Sequence, residues 1–433
     1  MAENAVKVGL VGCGTVGSGV VRLLVEQADL YTARMGRPIE IGRVLCRAED
    51  VGEATAQVPD GRLVHDVDQF FSEADDCRII LELAGGKAFA KTVVERAIKA
   101  GKHVVTANKA LLAAHGRELF ALAREHGVSI AFEASCGGGI PIITAMQHNL
   151  ASNRIDAMYG ILNGTCNYIL TQMTRHGVAY DDALAEAQAR GYAEADPTLD
   201  VGGGDAAHKL AILASLAFGA AATDEQVRCT GIDTLDLADV RFGAELGYEL
   251  KLLAIGERTA GGLSLQVAPC FVARDEQLAQ VGGSFNALSV FGHAVGHTLY
   301  YGRGAGQMPT ASAVVGDVLS IVAGAYPAVF TGLRAWPDLH DPPRLIDPDE
   351  QAARYYLRFS AKDVPGVAAQ FTRILGDEGI SIAAVLQHES QAGQFVPVVI
   401  TTHEANDGAV RRAAAQLAAL KTIQGPPVII RIV

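Results

Sequence analysis

The chain alternates between short apolar runs and amphipathic segments, in an order typical of an α/β protein. Its first unit opens with the β-branched run VKVGLV, passes through a glycine turn and continues with apolar residues, including Val20 and Leu24, at helical spacing. The later runs CRIILEL, HVVTANK and VSIAFEA predict buried strands, and KTVVERAIKAGK predicts a helix between two of them. We therefore predict a Rossmann-like nucleotide-binding domain over residues 1–134.

The hydrophobic pattern changes at Ile155. A strand-like run and an Asn-Gly turn lead to a helix predicted to start near Thr165, and the amphipathic segment YDDALAEAQARG follows. Pro197 and the glycine run 202–204 predict that no regular helix forms between positions 193 and 204. A helix resumes with DAAHKLAILASLAFG. This middle region is predicted to be an α+β domain.

After a proline- and aspartate-rich segment the pattern starts again. ARYYLRFSAKDVPGVAAQFTRILGDEGISIAAV predicts strand, turn, helix and strand, and the remaining residues add strand, helix and strand. This βαββαβ order is that of a ferredoxin-like domain.

Composition narrows the function classes. Of the 433 residues, 49% are hydrophobic and the formal net charge is −12, which disfavours a nucleic-acid or anionic-membrane surface. No apolar run approaches the roughly 18 uncharged residues that a membrane helix needs, and no basic region precedes the first apolar run. The seven cysteines are scattered and never form a CxxC pair, as expected of reduced thiols. We predict a cytoplasmic protein with a small-molecule partner.

The glycine turn fits the dinucleotide-binding pattern GxGxxG through Gly12, Gly14 and Gly17. The first glycine permits the turn, the second lets a pyrophosphate approach, and the third lets helix and strand pack closely. Amides at the helix start, around Thr15 and Val16, would hold the phosphates. The alternative is an ordinary βα turn.

The second strand, IEIGRVLCR, ends at Arg47, where a chain that prefers NAD would more often carry an acidic residue for the ribose hydroxyls. Arg47 suits a 2′-phosphate and slightly favours NADP over NAD, although it also fits a solvated surface charge. Residues at the carboxyl ends of the strands should face one crevice. Among them, Lys109 has a side chain that could take part in the reaction. Its alternative is a surface lysine at a helix start.

The stretch GYAEADPTLDVGGGDAAHKL, residues 191–210, gathers four carboxylates before Lys209. Holding acids close together has an electrostatic cost that a bound cation, such as a substrate ammonium group, would relieve. The structural alternative is a capped helix with an i,i+4 pair of Asp205 and Lys209 and solvated acids, worth only about 0.2–0.5 kcal/mol. Hydride transfer involving a nicotinamide also moves a proton, which a lysine can carry. Lys209 and Lys109 are the candidates.

These residues carry a family resemblance, in an unbroken block that ends at Lys209. The block resembles the signature of homoserine dehydrogenases at Gly191, Tyr192, Asp196, Pro197, Asp200, Val201, Gly203, Asp205 and Lys209. GLVGCGTVGSGV, VTANKALLA, FEASCGGGIPII, ILNGTCNYIL and GRGAGQMPTASAVVGDV also resemble that family's motifs, in its order. The resemblance therefore covers nearly the whole chain.

The resemblance implies reversible oxidation of L-homoserine to L-aspartate 4-semialdehyde with NAD or NADP, on the route to threonine, methionine and isoleucine. It implies that Lys209 exchanges the proton at the substrate oxygen, with Lys109 as its partner near the nicotinamide. Homoserine would bind Glu194 and Asp205, supported by Asp200. The two glycines implied to lie against the cofactor are Gly191 and Gly304.

The resemblance also implies a monovalent cation, usually sodium, with oxygen ligands that suit a hard ion. The implied ligands are the Glu133 carboxylate and the carbonyls of Cys136, Gly138 and Ile140. From the residues alone, Glu133 could equally cap a helix. Two departures from the family pattern, Cys136 and Cys166, leave backbone roles intact, whereas Arg303 replaces a proline near the cofactor.

The turn at residues 363–366 resembles that of the ACT domain, which usually binds amino acids and pairs with a second copy. Threonine is the candidate ligand. The alternative is that the domain is a purely structural dimerisation module without a ligand. The chain is expected to form a homodimer or homotetramer. The implied division is a nucleotide-binding domain over 1–134 completed by about 300–325, a substrate-binding and dimerisation domain over 135–300, a linker over 326–352, and an ACT domain over 353–433.

Two competing hypotheses remain open. A related amino-acid dehydrogenase acting on an amine carbon would share the nucleotide-binding half but does not need the complete block 187–209. A non-catalytic amino-acid sensor would retain a degenerate nucleotide fold, but the presence of both Lys109 and Lys209 disfavours it. Because no kinase-like segment precedes Met1, the chain is expected to be the monofunctional type.

Overall fold

A computed structural model describes residues 4–334, 336–388 and 393–433. The strands in this part of the chain are β1 Val6–Val11, β2 Ile39–Leu45, β3 Leu63–Val64, β4 Cys77–Glu82, β5 His103–Thr106, β6 Ile130–Ala131, β7 Ile155–Ile161, β8 Arg228–Cys229, β9 Tyr248–Thr259, β10 Gly262–Ala273, β11 Phe285–Gly292, β12 Gly296–Arg303, β13 Ala352–Lys362, β14 Ile382–Gln387, β15 Phe395–Thr402, β16 Ala405–Asn406 and β17 Ile423–Ile432. The helices are α1 Thr15–Glu26, α2 Ala28–Met35, α3 Val67–Glu73, α4 Ala88–Lys99, α5 Lys109–Glu125, α6 Ile142–Gln147, α7 Gly164–His176, α8 Tyr180–Ala189, α9 Thr198–Val201, α10 Gly204–Phe218, α11 Leu237–Glu245, α12 Gln307–Val322, α13 Ala325–Gly332, α14 Val367–Asp377 and α15 Asp407–Ala418.

The chain forms two compact units. The first consists of Met1–Asp156, His208–Gln226 and Asn286–Pro343. It contains a parallel sheet with the strand order β3-β2-β1-β4-β5-β6. Strand order reverses between β1 and β4, which is where doubly wound sheets bind their ligands. The sheet confirms the predicted Rossmann-like nucleotide-binding fold.

Helix α12 packs along α1 within this unit. A Cβ built on Gly19 of α1 would lie only 3.0 Å from Ala311 Cβ of α12, so a small residue is required at their contact. The Gln307 side chain of α12 also donates a hydrogen bond to Ser18 of α1 (3.0 Å). Helix α13 occupies the first residues of the segment expected to be a linker, and it buries Tyr326 and Phe330.

The second unit consists of Ala157–Ala207, Val227–Phe285 and Arg344–Val433. Its strands form one path in the order β7-β9-β10-β17-β13-β15-β14, with β8 beside β10 and β16 beside β13. Strands β13, β14, β15 and β17 with helices α14 and α15 have the predicted βαββαβ order. Their apolar faces enclose a core that includes Leu357, Leu375 and Val410.

A parallel contact joins this C-terminal sheet to the longer strands of the same unit. Cys270 and Phe271 of β10 pair with Arg431 and Ile432 of β17, and the Val433 amide donates to the Phe271 carbonyl (2.9 Å). The ferredoxin-like strands therefore extend the sheet of β9 and β10.

Two further features concern the whole chain. All seven cysteines are free thiols, and six of them are buried. Among the described residues, no single helix has the length and apolar character required to cross a membrane; taken together, α12 and α13 do, but they are bent by 82°.

Candidate active site

The glycine loop joins β1 to α1, and its three glycines face different surroundings. Gly12 has a φ of +94°, and a Cβ there would lie 2.7 Å from the backbone of Ala84. A Cβ on Gly17 would lie 2.1 Å from the Gly12 carbonyl oxygen, whereas one on Gly14 would meet no atom within 4 Å. This geometry suits a tight turn, a close helix–strand contact and an open position for a phosphate. Thr15 begins α1 and Val16 follows it, so their amides lie at the helix N-terminus.

A cleft of about 830 Å³ opens beside this loop. It is lined by the loop, the end of β2 and the turn after β4, and it includes Arg47. The Arg47 side chain is not free in this cleft. Its Nε and Nη2 donate to Asp50 (2.7 and 3.1 Å), and its Nη1 lies 3.1 Å from Glu49 Oε1. The hydrogen bonds that Arg47 donates to Asp50 raise the pKa of Arg47.

Lys109 is the first residue of α5 and is half-buried. The Asn108 side chain caps this helix, because its Oδ1 accepts the Leu111 amide (3.0 Å) and its Nδ2 donates to the Gly86 carbonyl (2.6 Å). Gly85 and Gly86 have positive φ and no atom within 4 Å of a built Cβ. The hydrogen bond between Asn108 and Gly86 therefore brings the carboxyl ends of β4 and β5 together beside Lys109.

Lys209 lies on α10 and is only 8% exposed. Its carbonyl accepts the thiol of Cys136 (3.8 Å). Complete burial raises the pKa of Cys136 to about 12, and the positive charges of Lys209 and Lys109 partly oppose that rise. Asp205 lies one turn earlier on α10 and is 6% exposed, in agreement with the spacing.

The acidic stretch is organised by an asparagine in the second unit. Asn163 Nδ2 donates to Asp200 (2.7 Å) and to Asp205 (2.9 Å), so one amide holds two carboxylates. Thr165 Oγ1 lies 3.4 Å from Asp200 Oδ2 and donates to the Tyr192 carbonyl (2.6 Å). Asn163 also caps α7. The sequence prediction missed Asn163 as a site residue, because an Asn-Gly pair predicts only a turn.

The other two acids of the stretch are exposed. Asp196 accepts the amide and hydroxyl of Thr198 (3.1 and 2.6 Å), which lowers its pKa. These bonds stabilise α9, so the prediction of no regular helix between positions 193 and 204 was wrong for this single turn. Glu194 is exposed and its carbonyl accepts Gln188 Nε2 (3.1 Å). Gly191 is exposed and has a φ of +74°.

Glu133 caps a helix, as its alternative interpretation proposed. Its two carboxylate oxygens accept the amides of Ile143 (2.8 Å) and Thr144 (2.7 Å) at the start of α6, and Oε2 also accepts the Thr144 hydroxyl. Its own amide donates to the buried Asp317 (2.9 Å). Burial raises the pKa of both Glu133 and Asp317.

The triple-glycine loop after Glu133 packs against the segment that follows β12. A Cβ on Gly138 would lie 2.6 Å from the Gly304 carbonyl oxygen, and one on Gly304 would lie 2.0 Å from Asn286 Nδ2. The Gly139 amide donates to the Arg303 carbonyl (3.0 Å). Gly304 is buried and the side chain of Arg303 is exposed, so the arginine is accommodated at the surface.

The residues implied for the cation offer oxygen atoms, which suit a hard monovalent ion and not a transition metal. They are the Glu133 carboxylate and the carbonyls of Cys136, Gly138 and Ile140. The Ile140 carbonyl already accepts the Ile142 amide (2.8 Å). In the described part of the chain, no group of three or more His, Cys, Asp or Glu residues is placed to hold a metal. The oxygen donors suit a hard cation, and both oxygens of the Glu133 carboxylate also accept amide hydrogen bonds from α6.

Comparisons with known proteins give one consistent answer. Residues 141–319 match homoserine dehydrogenase, residues 12–133 match the homoserine dehydrogenase NAD binding domain, and residues 355–419 match the ACT domain. A homoserine dehydrogenase of Pseudomonas aeruginosa is 45% identical over 433 residues, which cover 99% of this chain and 98% of the relative.

Comparison with solved structures indicates the same family. The crystal structure of a homoserine dehydrogenase from Thiobacillus denitrificans has a TM-score of 0.93 at 41% identity and covers 100% of this chain and 99% of its own. A hyperthermophilic archaeal homoserine dehydrogenase in complex with NADPH has a TM-score of 0.62 at 26% identity, over 73% of this chain and 97% of its own. This chain belongs to the homoserine dehydrogenase family of NAD(P)-dependent oxidoreductases and carries a C-terminal ACT domain.

Proposed function

We propose that Lys209 carries the proton in the reversible oxidation of L-homoserine to L-aspartate 4-semialdehyde, with Lys109 as its partner near the nicotinamide. The observation that supports this proposal is the burial of Lys209 on α10, one turn after the buried Asp205. When bound, the dinucleotide supplies the hydride acceptor. During oxidation the neutral amine of Lys209 accepts the proton of the alcohol and becomes an ammonium group, and during reduction that ammonium group returns a proton to the carbonyl oxygen.

The acidic stretch binds the amino-acid part of the substrate in this proposal. Asp205 and Asp200, held by the amide of Asn163, offer a pre-organised negative charge to the substrate ammonium group. Glu194 contributes from the exposed side of the loop. A substrate that lacks the ammonium group leaves a buried carboxylate without its cation, which is costly.

The cleft beside Gly12, Gly14 and Gly17 holds the cofactor in this account, with the pyrophosphate at the amides of Thr15 and Val16. Gly191 and Gly304 complete the cofactor contacts. Arg47 contacts the 2′-phosphate and gives a slight preference for NADP over NAD. Its position in the cleft supports this assignment.

The remaining two proposals concern a bound cation and a regulatory ligand. The Glu133 carboxylate and the carbonyls of Cys136, Gly138 and Ile140 would hold a sodium ion beside the loop that packs on Gly304. Threonine, the product of the pathway that also leads to methionine and isoleucine, binds the ACT domain and lowers the rate of homoserine oxidation.

Assembly and location complete the proposal. The chain acts as a homodimer or homotetramer, and the exposed apolar residues Val295 and Tyr301 around strand β12 support an interface there. The domain division remains 1–134 with 300–325, then 135–300, a linker over 326–352, and 353–433. The seven free thiols support a reducing, cytoplasmic location.

A substrate comparison tests the proposed function. Purified enzyme is supplied with NADP or NAD in the presence of sodium or potassium, and nicotinamide reduction is followed with L-homoserine or 4-hydroxybutyrate, which lacks the amine. We expect kcat/KM for L-homoserine to exceed that for 4-hydroxybutyrate by at least about 100-fold, because Asp205 is buried. Equal values for the two alcohols would contradict the ammonium site, and no reduction with L-homoserine would contradict the proposed activity.

A further inference from the structure

Glu82 is a fully buried carboxylate that the proposed mechanism does not use. It is the last residue of β4 and pairs with Val11 of β1, at the point where the strand order of the parallel sheet reverses. Its exposed fraction is 0%. A charged group is rarely buried so completely unless it is paired or makes several hydrogen bonds. Its position at the ligand-binding end of the sheet calls for a role.

Hydrogen-bond donors surround this carboxylate. Oε1 accepts the amides of Ala84 (3.1 Å) and Gly85 (3.2 Å), and Oε2 accepts the hydroxyl of Thr106 (2.7 Å) at the end of β5. An ionised carboxylate only accepts, so this set of donors matches the ionised form. Burial raises the pKa of Glu82, and the bonds from Thr106, Gly85 and Ala84 oppose that rise.

The two ends of this network lead to different parts of the crevice. Leu83 and Ala84 line the cleft, and Ala84 lies directly against Gly12 of the glycine loop. On the other side, Thr106 Oγ1 accepts the Asn108 amide (3.0 Å), and Asn108 caps α5, which starts at Lys109. One carboxylate therefore connects a wall of the cleft to the start of the helix that carries Lys109.

We propose that Glu82 is a positioning residue for hydride transfer: its carboxylate ties the turn after β4 to Thr106 and holds the cleft wall and Lys109 in a fixed relation. This inference rests on the proposed function, in which the cleft binds the dinucleotide and Lys109 acts near the nicotinamide. Small displacements of groups that orient reactants have large effects on rate, so the loss of this tie should be visible in catalysis.

Thr106 provides the sharpest test because two substitutions separate its hydroxyl from its shape. Thr106→Val removes the hydroxyl at nearly constant volume, and Thr106→Ser retains it. In the full chain we expect Thr106→Val to lower kcat by about 10- to 100-fold and to raise the Kd for the reduced dinucleotide, measured by nicotinamide fluorescence. Thr106→Ser should remain within about threefold of wild type in both quantities. Thr92→Val, at a helix position whose hydroxyl bonds to the Ala88 carbonyl of α4, is the control and should change neither.

Glu82→Gln keeps the inference testable if Thr106→Val does not fold. It preserves size and an acceptor for the turn amides while removing the charge, so it should raise the Kd and lower kcat in a protein with a near-native Tm. A drop in Tm without a change in Kd or kcat, or equal defects in Thr106→Ser and Thr106→Val, would overturn the positioning role. If wild type binds the dinucleotide but does not oxidise L-homoserine, the proposed function fails, while the Kd comparison still decides the role of Glu82 in the cleft.

Discussion

At the scale of single residues, Arg47 is held by two neighbouring carboxylates in the cleft proposed to bind the cofactor. Asp50 accepts two of its hydrogen bonds and Glu49 lies close by. A cofactor 2′-phosphate must compete with these anions for the same guanidinium group. In the proposed cofactor site, Asp50 would therefore weaken the NADP preference that we propose for Arg47.

The substitution Asp50→Asn should raise the ratio of kcat/KM with NADP to kcat/KM with NAD by about two- to fivefold, as expected for an exposed ion pair. Arg47→Ala should lower the same ratio, because the cation proposed to contact the phosphate is lost. Steady-state kinetics with both cofactors at low ionic strength measure the effect. An unchanged ratio in Asp50→Asn would show that the pair does not influence cofactor choice.

The sequence correctly predicted the positions of single residues where their spacing along a helix determines which face they share. Asp205 and Lys209 are four positions apart on a helix, and the structure buries both. The sequence did not indicate Asn163 or Glu82 as functional residues, for two different reasons. Asn163 precedes a glycine, which predicts a turn, and Glu82 lies inside the apolar run IILELAGG, which predicts only a strand. Asn163 contacts Asp200 and Asp205, and Glu82 contacts Thr106. These side-chain partners are distant in sequence, so no local pattern indicates the contacts.

At the scale of elements, the alternation of strand and helix patterns was sufficient to predict the parallel sheet and the βαββαβ tail. Both folds are built from connections between neighbouring elements, which periodicity detects. The pairing of β10 with β17 was not predictable, because it joins residues such as Cys270 and Arg431 that are far apart in sequence. The single turn α9 was also missed, because a proline followed by a glycine run predicts no helix, and the hydrogen bonds that Asp196 accepts from Thr198 are not visible in the sequence pattern.

A buried ion pair links α11 to β13. Asp239 is fully buried and accepts two hydrogen bonds from Arg358 (2.6 and 2.7 Å) and one from Tyr356 (3.1 Å). Replacing Asp239 with leucine leaves the arginine charge without a partner. We expect Asp239→Leu to lower the free energy of unfolding by roughly 3–5 kcal/mol, measured by denaturant titration.

The double variant Asp239→Leu/Arg358→Met should recover most of this loss, because neither charge then remains unpaired. The exposed pair Arg373–Asp377 of α14 provides the control, and Asp377→Leu should have little effect. A double variant as unstable as Asp239→Leu would mean that packing, and not the unpaired charge, causes the loss.

At the scale of the whole molecule, one strand of the second unit, β10, contacts both the ACT strands and the acidic stretch. β10 pairs with β17 at one end. Near its middle, Val267 lies against Gly203, where a built Cβ would be 3.0 Å from Val267 Cγ1. Gly203 has a φ of +88° and lies between Asp200 and Asp205. A change at β17 therefore has a packed route to the residues proposed to bind the substrate.

This arrangement gives a prediction about regulation. Added L-threonine should lower the rate of homoserine oxidation by the full chain. Val267→Ala loosens the contact with Gly203 and should raise the threonine concentration for half-inhibition by about fivefold or more, with the uninhibited rate retained. Initial rates over a threonine titration measure both quantities. Absence of inhibition in wild type would contradict regulation by threonine, and equal inhibition of both proteins would contradict the route through β10.

The most direct test of the central claim is the kcat of Lys209→Ala in homoserine oxidation, measured beside its affinity for the reduced dinucleotide. If Lys209 carries the substrate proton, kcat falls by about 10²- to 10⁴-fold while the dinucleotide Kd stays near the wild-type value. Lys99→Ala, at an exposed lysine that ends α4, is the matched control and should behave as wild type. A kcat within a few-fold of wild type in folded, cofactor-binding Lys209→Ala would contradict the account.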